Sequence, residues 1–380
     1  MSRYFVTAAR GVEILTAKEL TALGSTKTEV VPGGVYFEGN QETLYLAHIW
    51  LRTGNRIMLP LRSFPTRDPE MLYDGIAKFR WETFLKEGKT FAIDCTISGR
   101  KTPSLSHSHY AKLKVKDAIV DRMRAKTGER PNIDIEDPDI SIIIYIRDGV
   151  CTLTMDATGF SLHERGYRER GVQAPLKETL AAALVDFTEW DGTKPFLDPM
   201  CGSGTLSIEA ALKFCHVAPG LNHRKFAFMH WPDFNETLWK RLVTEAQDKE
   251  RPLPSNLVYG YERSGVNIRT SKRNAEHAGI EPGAIHFERM DFLDFELVLP
   301  EKPGILLVNP PYGERLGQNE DLPALYKQMG DIFKQKMKGW TAYVFTGNRE
   351  LAKHIGLKAS RRIELFNGPI DCRLLKYELY

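Results

Sequence analysis

Cysteine is scarce in this 380-residue chain. The five present (Cys95, Cys151, Cys201, Cys215, Cys372) are odd in number and scattered, and no two form a CxxC pair. That argues against a disulfide framework and a thiolate zinc site, and for a reducing cytoplasm. Long hydrophobic runs are also missing. The strongest, Gly304-Ile-Leu-Leu-Val308, is strand length, against the roughly 20 apolar residues of a membrane helix. The N-terminus, MSRYFVTAARGVEIL, lacks the apolar stretch and small-residue cleavage site of a signal peptide. There is no internal repeat, no low-complexity tract and no convincing metal constellation. Neither charge sign dominates: 52 Lys+Arg against 49 Asp+Glu leave +3, too mild to imply nucleic acid. What remains is an ordinary soluble composition, 42% hydrophobic and 27% charged, at a length that predicts two or three domains.

The distribution of charge says more than its sum. Residues 1–170 hold 25 basic and 22 acidic residues, whereas residues 171–380 hold 27 of each. Arg100 to Arg130 carries nine basic residues against Asp117, Asp121 and Glu129. Lys112 and Lys116 are four apart, and so are Val115, Ile119 and Met123. One helix therefore holds an apolar stripe inward and lysines outward. In isolation such a run is a solvated helix face. Against RNA it would neutralise phosphates, which makes Lys112, Lys116 and Arg124 candidate contacts. His107 and His109 ahead of it read as a polar loop rather than metal ligands.

Periodicity divides the chain. A strand at Tyr4–Thr7, a helix from Gly11 to Leu23 ending at Gly24, a hairpin across Pro32-Gly33 and a helix at Gln41–Leu51 make a small α+β unit. A second follows: helix Pro69–Phe79, strand Thr90–Ser98, the basic helix, and strands Ile140–Arg147 and Val150–Asp156 joined by Asp148-Gly149. Gly159 to Gly171 is charged and glycine-punctuated, so the domain junction falls there. Beyond it, strands at Pro195–Asp198, Leu257–Glu262, Ile285–Glu288, Ile305–Val308 and Thr341–Phe345 alternate with helices. This predicts a mostly parallel sheet covered on both faces. Arg361–Phe366 and Leu374–Leu379 read as a closing antiparallel hairpin around Asn367-Gly368-Pro369. Residues 216–256, rich in aromatics, interrupt the alternation as an insertion whose rings are expected to be buried.

The first chemistry lies in Phe196-Leu-Asp-Pro-Met-Cys-Gly-Ser-Gly-Thr-Leu206. A strand ends at Asp198, and Gly202 and Gly204 permit a tight turn and close approach of backbone to ligand. The next helix then starts beside the same crevice, where nucleotides bind in such sheets. The string is neither a dinucleotide fingerprint nor a P-loop, and no lysine waits for a phosphate. A second carboxylate, Glu262, closes strand Tyr259-Gly-Tyr-Glu262 and can accept from two ribose hydroxyls. After the fourth strand comes Asn309-Pro310-Pro311-Tyr312. An exocyclic aromatic amine is a poor nucleophile because its lone pair is delocalised. The Asn309 side-chain oxygen and the Pro310 carbonyl can hold its two N–H groups and turn that lone pair outward. The prolines stiffen the loop, and Tyr312 offers a face for a flipped base.

These strings resemble motifs I and IV of S-adenosylmethionine-dependent methyltransferases that modify an amino nitrogen. The resemblance implies that Asp198 lies near the methionine ammonium. It also implies that Pro199, Cys201, Gly202, Ser203, Gly204 and Thr205 wrap the methionine and ribose. Asp291, beside Phe292, would meet the adenine amino group, with Asp294 as competitor. Tyr4-Phe-Val-Thr-Ala-Ala-Arg-Gly-Val-Glu13, Ser106-His-Ser-His-Tyr110 and Leu162-His-Glu-Arg-Gly-Tyr-Arg168 are similar to the ferredoxin-like plus THUMP region of RNA-modifying enzymes. Ala174 to Ala182 resembles the helix that covers the cofactor and brings in Pro175. Asn367-Gly-Pro-Ile-Asp-Cys-Arg373 resembles the turn of the closing hairpin.

Across nearly the whole chain the resemblance is to THUMP-containing guanine-N2 methyltransferases of large-subunit ribosomal RNA with a single catalytic domain. It implies an α/β Rossmann-like methyltransferase domain with a mostly parallel seven-stranded sheet, preceded by α+β ferredoxin-like and THUMP domains. The expected boundaries are 1–58, 59–158, a linker at 159–174, and 175–380. The implied activity is methyl transfer to guanine N2 in structured RNA, 23S ribosomal RNA first. The alternatives are transfer RNA guanine N2, adenine N6, or an RNA-binding assembly factor with a silent fold. No metal and no membrane enter this reading.

Overall fold

The structure, a computed structural model, describes residues 1–99, 105, 107–169, 176–222, 225–294, 299–313 and 321–380. The first part begins β1 (Ser2–Ala8), α1 (Glu13–Ala22), β2 (Lys27–Val31), β3 (Gly34–Gly39), α2 (Gln41–Trp50), β4 (Gly54–Pro65) and α3 (Pro69–Ala77). It continues with β5 (Thr90–Ser98), α4 (Ser108–Thr127), β6 (Asn132–Ile133), β7 (Ile140–Arg147) and β8 (Val150–Asp156). Local chemistry places many of these ends. The Asn40 side chain accepts from the Thr43 N–H at the start of α2, and Asp68 caps α3 with Pro69 in its first turn. Asp148 and Gly149 both adopt the left-handed backbone that a two-residue hairpin requires. On α4, Ala111, Val115, Ile119 and Met123 are buried, as the stripe predicts.

The two N-terminal units share one eight-stranded sheet, ordered β2-β3-β1-β4-β8-β7-β5-β6. The strand that joins them, β4, was not apparent from the sequence. It pairs with β1 (Val6 opposite Ile57) and then with β8 (Phe64 opposite Cys151), with a register shift between Pro60 and Arg62. Two prolines in twelve residues obscure a strand, and proline is tolerated where the ladder is broken or ends. The expected boundary after residue 58 thus falls inside a continuous strand.

The second part contains α5 (Glu178–Phe187), β9 (Phe196–Asp198), α6 (Thr205–Phe214), α7 (Glu236–Gln247), β10 (Val258–Glu262), α8 (Gly265–His277) and β11 (His286–Arg289). Then come β12 (Ile305–Val308), α9 (Leu322–Lys336), β13 (Thr341–Thr346), α10 (Arg349–Lys353), β14 (Arg361–Asn367) and β15 (Ile370–Glu378). Their seven-stranded sheet is ordered β11-β10-β9-β12-β13-β15-β14. The first five are parallel, and β15 is antiparallel to both β13 and β14. The strand order reverses between β9 and β12. The carboxyl ends of both therefore open on one crevice, where ligands bind in such sheets.

The junction is packed rather than exposed. Arg165 is 1% exposed and Tyr167 fully buried. Arg165 Nη2 donates to the Arg52 carbonyl at 2.7 Å, and its Nε meets Glu209 Oε1 of α6 at 3.5 Å. Tyr167 Oη donates to the same Glu209 oxygen at 3.0 Å. The insertion packs on the N-terminal unit. Phe226, Phe228, Trp231 and Leu242 share a core with Tyr45 and Ile49. The Tyr45 ring stacks on Phe228 at 4.8 Å and meets Trp239 edge-on at 5.7 Å.

Candidate active site

A cavity of about 820 Å³ lies at the carboxyl ends of β9, β10, β11 and β12. Pro199, Gly202, Glu262, Asp291, Phe292 and Asn309 border it, with Pro310, Pro311 and Tyr312 on one side. The structure therefore gathers most of the residues singled out from the sequence. Pro175 lies outside the described residues.

Asp198, at the end of β9, is 1% exposed. Its carboxylate takes a hydrogen bond from the Met200 N–H, while Oδ1 has no partner. Burial pushes this carboxyl well above the usual carboxylate range, the Glu262 charge adds to the push, and the Met200 bond opposes it. A cation at Oδ1 would reverse that balance.

Gly202 and Gly204 both have positive φ, +53° and +85°, for different reasons. A Cβ on Gly204 would sit 2.9 Å from Ser271 Cβ and 3.0 Å from Phe287 Cζ, so this glycine lets α6 close on its neighbours. A Cβ on Gly202 would meet nothing within 4 Å, because this glycine faces the open cavity. Cys201, Ser203 and Thr205 shape the turn from behind. The Cys201 N–H donates to Tyr261 O, and Cys201 O accepts from the Gly204 N–H. Asn274 Nδ2 donates to Ser203 O at 2.9 Å, and Arg168 Nη2 donates to Thr205 Oγ1 at 3.2 Å. Burial raises the Cys201 thiol far above its ordinary value, so it is no nucleophile.

Glu262 ties the loop to β10. Oε2 accepts from the Gly202 N–H at 3.2 Å and Oε1 from the Ser264 N–H at 2.9 Å. Each oxygen keeps a further lone pair for a hydroxyl. Asp291 accepts from the Leu293 N–H at 3.0 Å and borders the cavity, whereas Asp294 does not. The Phe292 ring is 1% exposed and belongs to the core with Phe333, so that core limits its contact with any ligand.

Asn309 follows β12. Its Oδ1 is buried and has no hydrogen-bond partner, an arrangement folded proteins rarely leave unsatisfied. Tyr312, half-buried, lines the cavity, and its phenol is pushed up to about 12 by burial. A neutral phenol and an uncharged amide leave this end uncharged but polar, suited to a neutral aromatic amine. The other end, with Glu262 and Asp291 lining it and Asp198 buried outside the lining near Glu262, suits a ligand that carries a cation and hydroxyls. Residues missed in the sequence complete the wall: Asn267, Leu176, Asn367 and Ile370. The only signal for the last two was the closing-hairpin string.

The candidate RNA contacts lie elsewhere. On α4, Lys112 Nζ pairs with Asp94 at 2.6 Å and Lys116 Nζ with Asp117 at 3.6 Å, while Arg124 is exposed. Among the described residues no cluster of His, Cys, Asp and Glu converges as a metal site, and no helix is long and apolar enough to cross a membrane.

Residues 165–376 match the family described as RMKL-like, methyltransferase domain. Residues 66–156 match the THUMP domain, and residues 3–58 the RlmL ferredoxin-like domain. A Synechocystis protein provisionally named an RNA methyltransferase is 42% identical over 99% of this chain and 97% of its own length. Ribosomal RNA large subunit methyltransferase K/L of Syntrophotalea carbinolica is 40% identical over 99% of this chain. The chain spans about half the length of that relative, 53%. Among solved structures, SMU.472, provisionally named a methyltransferase and complexed with SAH, superposes with a TM-score of 0.90 at 32% identity, covering 100% of this chain and 98% of its own. A Listeria monocytogenes protein named as an N6-adenine-specific DNA methylase gives 0.87 at 32% identity, covering 100% and 96%. The chain belongs to the RMKL-like methyltransferase-domain family, with RlmL ferredoxin-like and THUMP domains ahead of the catalytic fold.

Proposed function

We propose that this chain transfers a methyl group from S-adenosylmethionine to the exocyclic N2 of a guanine in ribosomal RNA. The observation that carries the reading is the buried, partnerless Oδ1 of Asn309 on a cavity that also holds Tyr312. The residues fit the donor. Asp198 Oδ1 is a free acceptor for an ammonium, Glu262 has lone pairs for ribose hydroxyls, and Gly202 leaves room for close approach. When bound, S-adenosylmethionine supplies an electrophilic methyl on a sulfonium.

The chain's own part is positioning. Asn309 Oδ1 and the Pro310 carbonyl accept hydrogen bonds from the two amine N–H groups and aim the nitrogen lone pair, while Tyr312 stacks on the base. With the donor bound, the lone pair so aimed would take the methyl as the carbon–sulfur pair returns to sulfur, and the amine would then give one proton to water. The THUMP match and the relatives' names favour RNA, and α4 is the proposed grip on a structured stem.

Two more readings share this geometry. The Listeria neighbour's name favours adenine N6, and transfer RNA is the other guanine substrate. Asn309→Ala is expected to keep S-adenosylmethionine affinity by calorimetry and to lower methylation of RNA from cells lacking the gene by about 100-fold or more. Unchanged turnover would remove the mechanism. Mass spectrometry of digested product, ribosomal and transfer RNA separately, decides between N2-methylguanosine and N6-methyladenosine and names the RNA. A protein that binds no S-adenosylmethionine would instead be a silent RNA-binding factor.

A further inference from the structure

Tyr312 is held more firmly than a loop aromatic requires. Asn367 Nδ2, at the end of β14, donates to Tyr312 Oη at 3.0 Å. Cys372 of β15 lies close enough to the hydroxyl for the two groups to shift each other's titration. The closing hairpin thus grips the phenol oxygen through the Asn367 donor of β14, with Cys372 of β15 beside it. The ring is seated as well. A Cβ on Gly347 would lie 2.7 Å from Tyr312 Cε2 and 2.8 Å from both Tyr312 Cδ2 and Ile370 Cγ2. Gly347 does not have a positive φ, so it is small to admit the ring and not to relieve the backbone. Phe345 meets the ring edge-on, at 89° and 6.3 Å between centroids.

We propose that Asn367 is a positioning residue that, with Cys372 and Gly347, sets the angle at which Tyr312 presents its ring to the target base. The inference rests on the reading of this cavity as a base pocket. A stacked base takes its plane from the ring beneath it, so the ring's tilt fixes where the amine nitrogen points. Tyr312 follows two prolines on the β12 loop, yet its tip is controlled by residues about 35–60 positions further along. The C-terminal hairpin therefore takes part in alignment and does not merely close the sheet edge.

Asn367 also borders the cavity, so a direct contact with the base must be distinguished from action through Tyr312. The test is a double-mutant cycle on the full chain, with ribosomal RNA from cells lacking the gene as substrate. Asn367→Ala is expected to lower kcat about 10-fold while KM for RNA and affinity for S-adenosylmethionine stay within about twofold. Asn367→Asp should restore most of the rate. Its carboxylate accepts a hydrogen bond from the phenol O–H, so the link between residue 367 and Tyr312 is kept with its direction reversed. In a Tyr312→Phe background, Asn367→Ala should cost less than about twofold further.

An equal cost in both backgrounds overturns the proposal, because Asn367 then acts on the base directly or on the fold. A second readout needs no RNA. In tyrosine-labelled protein, the NMR resonance lost in Tyr312→Phe should move in Asn367→Ala and return toward its place in Asn367→Asp. A resonance that does not move overturns the proposal. A wild-type chain that methylates no RNA while the resonance moves defeats the function reading and upholds the seat.

Discussion

At the scale of single residues, the site is marked by polar atoms that the fold does not satisfy. Asp198 Oδ1 and Asn309 Oδ1 are buried and partnerless, while the Glu262 carboxylate on the cavity is bound by two backbone N–H groups. Because the folded Asp198 carboxyl lies above its unfolded value, the folded state holds that proton more tightly. The ligand-free protein is therefore favoured at pH below the unfolded value, about 4, and loses that advantage as pH rises. Asp198→Asn removes the penalty and, with it, the negative charge that would meet the ammonium. It should raise the melting temperature of the ligand-free protein at neutral pH, with the gain shrinking toward about pH 4. It should weaken S-adenosylhomocysteine binding about 10- to 100-fold, the scale of one charge-assisted hydrogen bond. Undiminished affinity by calorimetry would place the ammonium elsewhere.

At the scale of elements, α4 shows what periodicity can and cannot say. Its buried stripe was legible because spacing by four maps directly onto one helix face. Which of its cations are free was not. Arg122 is bound by both oxygens of Glu82 and by donation to Ala77 O, so it braces α4 against α3 and the turn at Trp81. Lys112 and Lys116 hold exposed partners, and such pairs are worth only about 0–1 kcal/mol, so phosphate can replace them. Glutamate at Lys112, Lys116 and Arg124 together should weaken RNA binding. The slope of log affinity against log salt should fall by about 2–3, or roughly 0.7–0.9 for each phosphate no longer neutralised. S-adenosylmethionine binding should be unaffected. Unaltered RNA affinity in a filter-binding titration would move the RNA face off this helix. The strand β4 is the opposite lesson: its prolines hid it, because a strand is confirmed by partners and not by its own composition.

At the scale of the whole molecule, the parts are joined by buried charge. Arg165 bonds to Arg52 O and reaches Glu209, and Arg52 Nη2 donates to Leu212 O and Val217 O at the far end of α6. The helix that begins at the glycine loop thus also anchors the N-terminal sheet. Arg165→Ala leaves Glu209 buried with a hydrogen bond from Tyr167 and the Arg52 charge nearby, but without its own ion-pair partner. It should cost about 3–5 kcal/mol by chemical denaturation, as the loss of one member of a buried ion pair does. Calorimetry should then split one unfolding transition into two. A single transition at an unchanged midpoint would show that the aromatic contacts of Tyr45 with the insertion suffice to couple the parts.

Sequence alone determined what depends on near neighbours. The strand–helix alternation, the left-handed glycines at 202 and 204, the acids at strand ends and the proline elbow are properties of a few consecutive residues, and all were legible. The alternation also predicted the mostly parallel sheet, and the motif resemblance implied its Rossmann-like methyltransferase form; the structure and its neighbours bear both out. Tertiary structure decided what depends on distant partners. Tyr312 is seated by Asn367, 55 positions away; Arg165 meets Glu209 across 44; and the Asn235 N–H donates to Tyr45 Oη across 190. No local pattern encodes such contacts, because they form only when separate elements pack and exclude the water that would otherwise satisfy the same polar groups.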